Sequence, residues 1–351
     1  MTRNELLVAV AAVLAVAAAV VLIAYAVWHT GRTREADFSA DIAETPPTDL
    51  AQLVCREIGG FETGFDASRA VAAGPGGEWL VSGDFAVRAF DANGRQVREV
   101  PVAEPPGPLA ADANGTLYVA TRDRVFVFDP NGQRRAAWAS AGPAATLTSI
   151  ALTPGEVLVA DAGNREVRRH DRSGKLLKTI GRKDADRNIP GFVVPSPYFD
   201  VALAPDGLLR VVSPGRRRIE AYTLDGDLEG WWGKYGLSPE DFTGCCNPSN
   251  FALIGVDADA GRFAGFVTSE KGTTRVKLYD ARGGFVGIVA GHESFARHDQ
   301  VLSGRPAGQP FAALDVAVDA AGRIAVLDPV LNRVRLYRRL EPTTRPAGAK
   351  K

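Results

Sequence analysis

The chain has 351 residues, with 41 Lys and Arg against 41 Asp and Glu, 46% hydrophobic and 23% charged residues, 37 Gly, 22 Pro and 3 Cys. This is a globular composition and excludes a disordered, collagen-like or disulfide-dense chain. Zero net charge excludes a nucleic-acid binder that works by bulk positive charge.

Those averages conceal an uneven N-terminus. After a tail of residues 1–5, the run Leu6–Trp28 carries no charged residue. At about 1.5 Å per residue it makes a helix of roughly 34 Å, enough for a hydrocarbon core of about 30 Å. Tyr25 and Trp28 at its end suit a membrane interface, and Arg32 and Arg34 follow. Ala24-Tyr25-Ala26 has the small-x-small form of a signal-peptidase site. The apolar run exceeds the usual signal-peptide length of about 7–15 residues, so an uncleaved anchor is the preferred reading. Charge bias does not decide orientation, since Arg3 and the α-amino group face Arg32 and Arg34. A short cytoplasmic tail with an exported, periplasmic C-terminal domain is the simpler topology for a single-pass protein. Residues 29–51, with Thr45-Pro46-Pro47-Thr48, lack a sustained apolar period and read as a polar tether.

From residue 52 to 341 one pattern recurs six times: an apolar inner strand, a Gly-containing turn, two alternating strands around a polar loop, a second turn and a fourth strand. The clearest copy runs from Ile150 to Gly181, and the others begin near Ala70, Leu109, Val201, Phe251 and Leu314. Asp91 to Gly94, Asp129 to Gly132, Asp171 to Gly174, Leu224 to Gly226 and Asp280 to Gly283 mark hairpin turns. Each unit has an apolar face that it cannot bury alone, so the units stack radially into a six-bladed β-propeller, an all-β fold. The last copy stops near Leu340 without an outer strand. Leu53–Gly59 resembles the outer strand Leu176–Gly181, so the N-terminal strand is predicted to complete the last blade and leave no open sheet edge. Residues 342–351 are predicted to be a disordered tail.

The run Val157-Leu158-Val159-Ala160-Asp161-Ala162-Gly163-Asn164 to Val167, echoed by Ile324 to Asp328 with Asn332-Arg333-Val334, resembles NHL repeats. The likeness covers roughly Leu53 to Leu340. It implies the propeller fold and is weak for function, because NHL propellers serve as ligand-binding, protein-binding and sensor ectodomains, with a few enzymes among them.

Three blade junctions are enlarged: Arg182 to Tyr198, Lys234 to Asn250, and His292 to Pro310. All connect an outer strand to the next inner strand, which places them on one face with the loops between second and third strands. Insertions on one face of a repeat protein mark its binding side. Tyr198, Phe199, Cys245, Cys246, Asn247, His292 and His298 are the candidates from these junctions. Arg165, the run Arg216-Arg217-Arg218, Lys271 and Arg333 on the second-to-third-strand loops could add positive charge for an anionic partner, or be solvated loop residues of an Arg-rich chain.

Cys245-Cys246-Asn247-Pro248 is the sharpest single feature. Two adjacent thiols with His292 or His298 suggest metal or redox chemistry. A disulfide joining Cys55, Cys245 or Cys246 in some pairing, or inert thiols, are the alternatives. No cofactor is required by the sequence. His170 stands where an aromatic usually precedes the turn and reads as a packing residue. Asn114-Gly115-Thr116 matches a glycosylation acceptor but sits at a tight turn. No Gly-x-Ser-x-Gly, phosphate-binding Gly-Lys-Ser/Thr or His-x-x-x-His motif is present. Related six-bladed lactonases hold a divalent metal in the channel, and Asp161, Asp200 and Asp328 are the nearest carboxylates here, each also explicable as a turn residue. The leading expectation is a membrane-anchored propeller that binds a protein or ligand on its insertion face as a scaffold or subunit of an envelope complex. The rivals are a metal or redox accessory protein using Cys245 and Cys246, and a lactonase-like hydrolase.

Overall fold

In a computed structural model of the chain, which describes residues 47–187, 189–244, 246–296 and 313–341, the alternating segments become strands. They form six four-stranded antiparallel sheets. Taken from the inner strand outward, blade 1 is Ser68–Ala73, Trp79–Gly83, Ala86–Phe90 and Gln96–Pro101, and blade 2 is Leu109–Ala111, Leu117–Ala120, Val125–Phe128 and Arg134–Ala137. Blade 3 is Leu147–Leu152, Glu156–Asp161, Glu166–Asp171 and Leu176–Ile180. Blade 4 is Val201–Leu203, Leu209–Ser213, Arg218–Tyr222 and Leu228–Trp232. Blade 5 is Asn250–Ile254, Gly265–Glu270, Arg275–Asp280 and Phe285–Ala290. Blade 6 takes Asp315–Val318, Arg323–Asp328 and Arg333–Arg339 from the C-terminal end and its outer strand, Cys55–Glu62, from the N-terminal end. Each inner strand packs beside that of the next blade, and blade 6 returns to blade 1.

The second strands explain the packing. Val157 and Val159 face blade 2 and meet Trp138, while Leu158 and Ala160 on the same strand face blade 4 and meet Phe199 and Tyr222. A strand buried on both sides must be apolar at every position, which is why these segments read as continuous hydrophobic runs. The core is therefore divided into wedges between neighbouring blades, and losing one such side chain, as in Leu158→Ala, costs about 2–5 kcal/mol.

The Asp residues of the outer turns have a local cause. In blade 5, Asp280 Oδ1 accepts hydrogen bonds from the amides of Arg282 and Gly284, each at 2.8 Å. In blade 2 Asp129 Oδ1 accepts the Gln133 amide in the same way, and that bond holds Asp129 below the usual carboxylate range.

Of the tether expected over 29–51, residues 29–46 lie outside the described residues, and 48–51 are engaged with the propeller. The Thr48 amide and hydroxyl donate to the two carboxylate oxygens of Glu293 at 2.7 and 2.8 Å, and Asp49 caps a short 3-10 turn at Leu50–Gln52. Leu53 then bridges Ile288 on the outer strand of blade 5 before the chain enters blade 6. Among the described residues no helix is long and apolar enough to cross a membrane. The segment 6–28 and the C-terminal tail 342–351 lie outside them.

Candidate functional site

The six inner strands surround a channel cavity of about 490 Å³. Aligned on the strand pairing, the residue just before the first inward apolar position is Ala70, Pro108, Ser149, Asp200, Asn250 and Asp315 in blades 1 to 6. In the four polar cases the side chain reaches the backbone of the following blade. Ser149 Oγ accepts from the Val201 amide at 3.2 Å, Asp200 Oδ2 from the Phe251 amide at 2.8 Å, and Asp315 Oδ2 from the Val71 amide at 2.8 Å. Asn250 Nδ2 donates to the Leu314 carbonyl at 2.8 Å. The second oxygens of Asp200 and Asp315 accept the amides of Val201 and Val316. These residues stitch the ring from inside.

Both carboxyls are enclosed by protein yet keep part of their surface open to the channel. Burial pushes Asp200 up to about 6, against the pull of the amide hydrogen bonds. Asp315 is pushed up to about 7 by burial and by the negative charge of Asp200. The other two carboxylates expected near a channel metal are turn residues at the ends of second strands. Asp161 accepts from the amides of Thr146 and Asn164 and from the Asn164 side chain, and Asp328 from the amides of Ala296, Val330 and Leu331. Asp315 was not singled out by the sequence reading. The signal for it is the match between Asp200-Val201-Ala202-Leu203 and Asp315-Val316-Ala317-Val318.

The first enlarged junction does not lie wholly over the channel. Arg187 pairs with Asp227 on an outer turn, so the first half of the junction lies at the rim, and Pro197, Tyr198 and Asp200 bring its second half to the cavity. Lys271 Nζ stands 4.6 Å from the centre of the Tyr198 ring. Phe199, a binding candidate from sequence, is fully buried against Phe192 and cannot meet a ligand at the surface. Asn247 is also buried. Its Nδ2 donates to the Thr243 and Lys271 carbonyls and its Oδ1 accepts the Lys271 amide, so it is a loop brace whose amide is used at both ends.

Cys246 is buried. Cys55 is a buried free thiol on the blade 6 outer strand, where burial pushes it up to about 11, so no bridge joins it to Cys246. His292 is half-buried, with Nδ1 3.7 Å from Glu293 Oε2. Cys245 and His298 lie outside the described residues. Among the described residues no group of three His, Cys, Asp or Glu side chains could hold a metal. His170 packs on Trp138 with ring centres 4.9 Å apart, and burial lowers its basicity.

The loop arginines divide by partner. Arg333 lies 3.5 Å from Glu62. Arg216 and Arg218 share the buried Glu220, whose other oxygen accepts from Tyr222. Arg217 donates to the Gly244 carbonyl at 3.0 Å and stacks over the exposed ring of Tyr235. Arg165 is exposed, and no hydrogen bond or ion pair engages it among the described residues.

The second junction is anchored by a charge that sequence reasoning missed. Lys277 is fully buried, with Nζ 2.7 Å from the Asp241 carbonyl and 3.3 Å from Glu270 Oε1. Burial brings it down to about 8, against the opposing attraction of Glu270. Tyr279 donates to the Glu240 carbonyl at 2.9 Å, and Glu270 accepts the Thr243 amide. Blade 5 thus fixes the segment that carries Tyr235 and Leu237, which is 82% exposed.

No family model and no curated protein matches the sequence. Solved structures do. A gluconolactonase from Xanthomonas campestris is similar at a TM-score of 0.56 and 17% identity, over 83% of this chain and 92% of that one. A streptogramin B lyase is similar at 0.53 and 11%, over 82% and 97%. A Bacteroides thetaiotaomicron protein of unknown function is similar at 0.54 and 15%, over 81% and 75%. At these identities the likeness is one of fold.

Proposed function

We propose that this propeller is a binding module that holds a protein partner on its insertion-bearing face, tethered to a membrane by residues 6–28 with the propeller on the extracytoplasmic side. The observation that carries the reading is the division of labour between channel and face. The channel carboxylates Asp200 and Asp315 accept four backbone amides and serve ring closure. The face displays exposed Phe85, Tyr235 and Leu237 with Arg217 beside Tyr235. Aromatic and Arg side chains are enriched where proteins bind. The likeness of the repeat to NHL propellers supports the same reading. Photo-crosslinking residues placed at Phe85, Tyr235 and Leu237 of the full chain in native membranes are expected to give adducts that Val97, on a blade 1 outer strand, does not. Adducts from Val97 alone would overturn the reading.

A hydrolase reading is favoured by one observation. Burial pushes Asp200 up to about 6 and Asp315 up to about 7 beside the channel cavity, the range that suits a general acid or base. Turnover of simple lactones by the purified protein, lost in Asp315→Asn, would establish it.

A further inference from the structure

The residue immediately before the third strand is Arg165 in blade 3, Arg217 in blade 4 and Asn332 in blade 6, and all three have a left-handed backbone, with φ of 57°, 56° and 50°. Asn tolerates this conformation, and Asn332 also uses its side chain. Its Oδ1 accepts the Ser68 amide at 2.8 Å and its Nδ2 donates to the Asp66 carbonyl at 3.0 Å, tying blade 6 to blade 1. Arg has no conformational reason to be there. Arg165 makes no bond among the described residues, and the hydrogen bonds of Arg217 go to the Gly244 and Gly215 carbonyls rather than to a carboxylate. Two neighbouring blades therefore place an Arg at a left-handed position and pair neither guanidinium with a carboxylate: Arg217 braces the Gly244 and Gly215 carbonyls, and Arg165 engages nothing among the described residues.

The charge around them is unbalanced. Residues 162–168, 181–187 and 213–220 together contain eight Lys and Arg and four Asp and Glu. The buried Glu166 pairs with Arg168 and Arg182, the buried Glu220 with Arg216 and Arg218, and Asp227 with Arg187, which leaves Arg165, Lys183 and Arg217 without an acidic partner among the described residues. The corresponding loops of blades 1 and 6 carry no such excess, with Asp84 in one and Asp328 and Arg333 in the other.

We propose that Arg165 and Arg217 form an anion-reading pair for an acidic segment of a partner protein, with Tyr235 and Leu237 taking its apolar side chains. This rests on the reading of the insertion face as a binding surface and names the partner's chemistry. A guanidinium fork matches a carboxylate in two parallel hydrogen bonds, and the stack on Tyr235 orients the Arg217 fork in advance. The exposed apolar neighbours fit a polypeptide better than a lipid headgroup or a free anion.

The test uses the full-length protein in detergent and a fluorescent twelve-residue peptide of Glu, Leu and Tyr. Wild type is expected to bind it with an affinity that falls as salt rises, and the Arg165→Asn/Arg217→Asn variant to bind at least tenfold more weakly. Asn suits the backbone at both positions, so the double variant should lose no more stability than the Arg217 bonds to the Gly244 and Gly215 carbonyls confer, and Arg165→Asn alone, which breaks no bond among the described residues, should unfold with wild type yet bind the peptide more weakly. Arg122→Asn/Arg124→Asn on blade 2 should bind the peptide as wild type does. Equal binding by wild type and the Arg165/Arg217 variant overturns the proposal. So does equal loss in the blade 2 variant, or recruitment to phosphatidylglycerol vesicles without peptide binding. If crosslinks from Phe85 persist in native membranes while the peptide fails, the face is a binding surface and only the acidic partner is wrong.

Discussion

Asp315 Oδ2 and the amide of Val71 lie 2.8 Å apart although 244 positions separate them in the sequence. This bond joins the inner strands of blades 6 and 1, while on the outside the N-terminal strand Cys55–Glu62 pairs with Arg333–Arg339 to complete blade 6. The ring is therefore fastened at both radii, once by a side chain and once by a whole strand.

Asn at position 315 keeps one acceptor for Val71, and Ala keeps none. Asp315→Ala is expected to be less stable than Asp315→Asn by about 1–2 kcal/mol, the range for a hydrogen bond whose loss strands a partly buried amide. Urea unfolding of the two variants at one pH isolates that bond from the charge, since neither residue ionises. Equal midpoints would show that channel water replaces it fully.

The two channel carboxyls give a second expectation, in pH. Asp200 at about 6 and Asp315 at about 7 lie above their ordinary value of 3.8, so between about 4 and 7 the folded state binds more protons than the unfolded state. Stability conferred by these groups is complete below pH 4 and is lost as the pH rises through 7. The melting temperature should fall across that window, and Asp200→Asn/Asp315→Asn should flatten the fall. Because each Asn keeps only one of the two amide acceptors, the readout is the slope of stability against pH rather than the absolute stability of the variant.

Lys277 has the opposite sign. Its folded value of about 8 lies below the ordinary 10.5, so the unfolded chain binds the extra proton between those limits and stability rises with pH across them. Lys277→Met leaves Glu270 its bonds to Arg275 and to the Thr243 amide, but strips the Asp241 carbonyl of its Lys277 donor. A loss of about 1–3 kcal/mol is expected. Hydrogen exchange should quicken first around residues 238–244, while blade 2 amides keep their protection.

Cys55 should be chemically silent in the folded state. It is 6% exposed, and burial holds the thiol at about 11, so little thiolate exists at pH 8. Native thiol titration of Cys55→Ser should match wild type, with the difference of one thiol appearing only in denaturant. A native difference would mean that the seam between Cys55 and Arg339 opens readily.

Local chemistry explains which features the sequence displayed. The Asp-x-x-Gly turns, the alternation in second strands and the missing outer strand of the last copy act over a few residues, and they define six blades and the N-terminal closure. The first strand lies at Cys55–Glu62 rather than Leu53–Gly59 because Leu53 is engaged with Ile288 of blade 5. What links one blade to another was not legible. Nothing near Asp315 marks it as the partner of Val71, and nothing near Lys277 announces Asp241 as its acceptor. Asn247 and Phe199 looked available because their loops are long, yet long junctions here are packed down by Glu270, Lys271 and Phe192.

Two glycines with the same backbone separate conformational strain from crowding. Gly283 in the outer turn of blade 5 has φ of 83°, and Gly207 in the inner turn of blade 4 has φ of 82°. A methyl group at Gly283 would lie 2.4 Å from the indole of Trp232 at the end of the blade 4 outer strand, whereas one at Gly207 would meet nothing within 4 Å. Gly207→Ala should therefore cost only the left-handed backbone, about 1 kcal/mol. Gly283→Ala must also displace Trp232, which packs against Phe242, Phe266 and Tyr279, and overpacking of this kind adds about 1–3 kcal/mol. Denaturant midpoints of the two variants, with tryptophan fluorescence as the probe, check the difference. If Gly283→Ala is no worse than Gly207→Ala, the blade 4 and blade 5 seam is soft, and the aromatic cluster there does not hold the second junction in place.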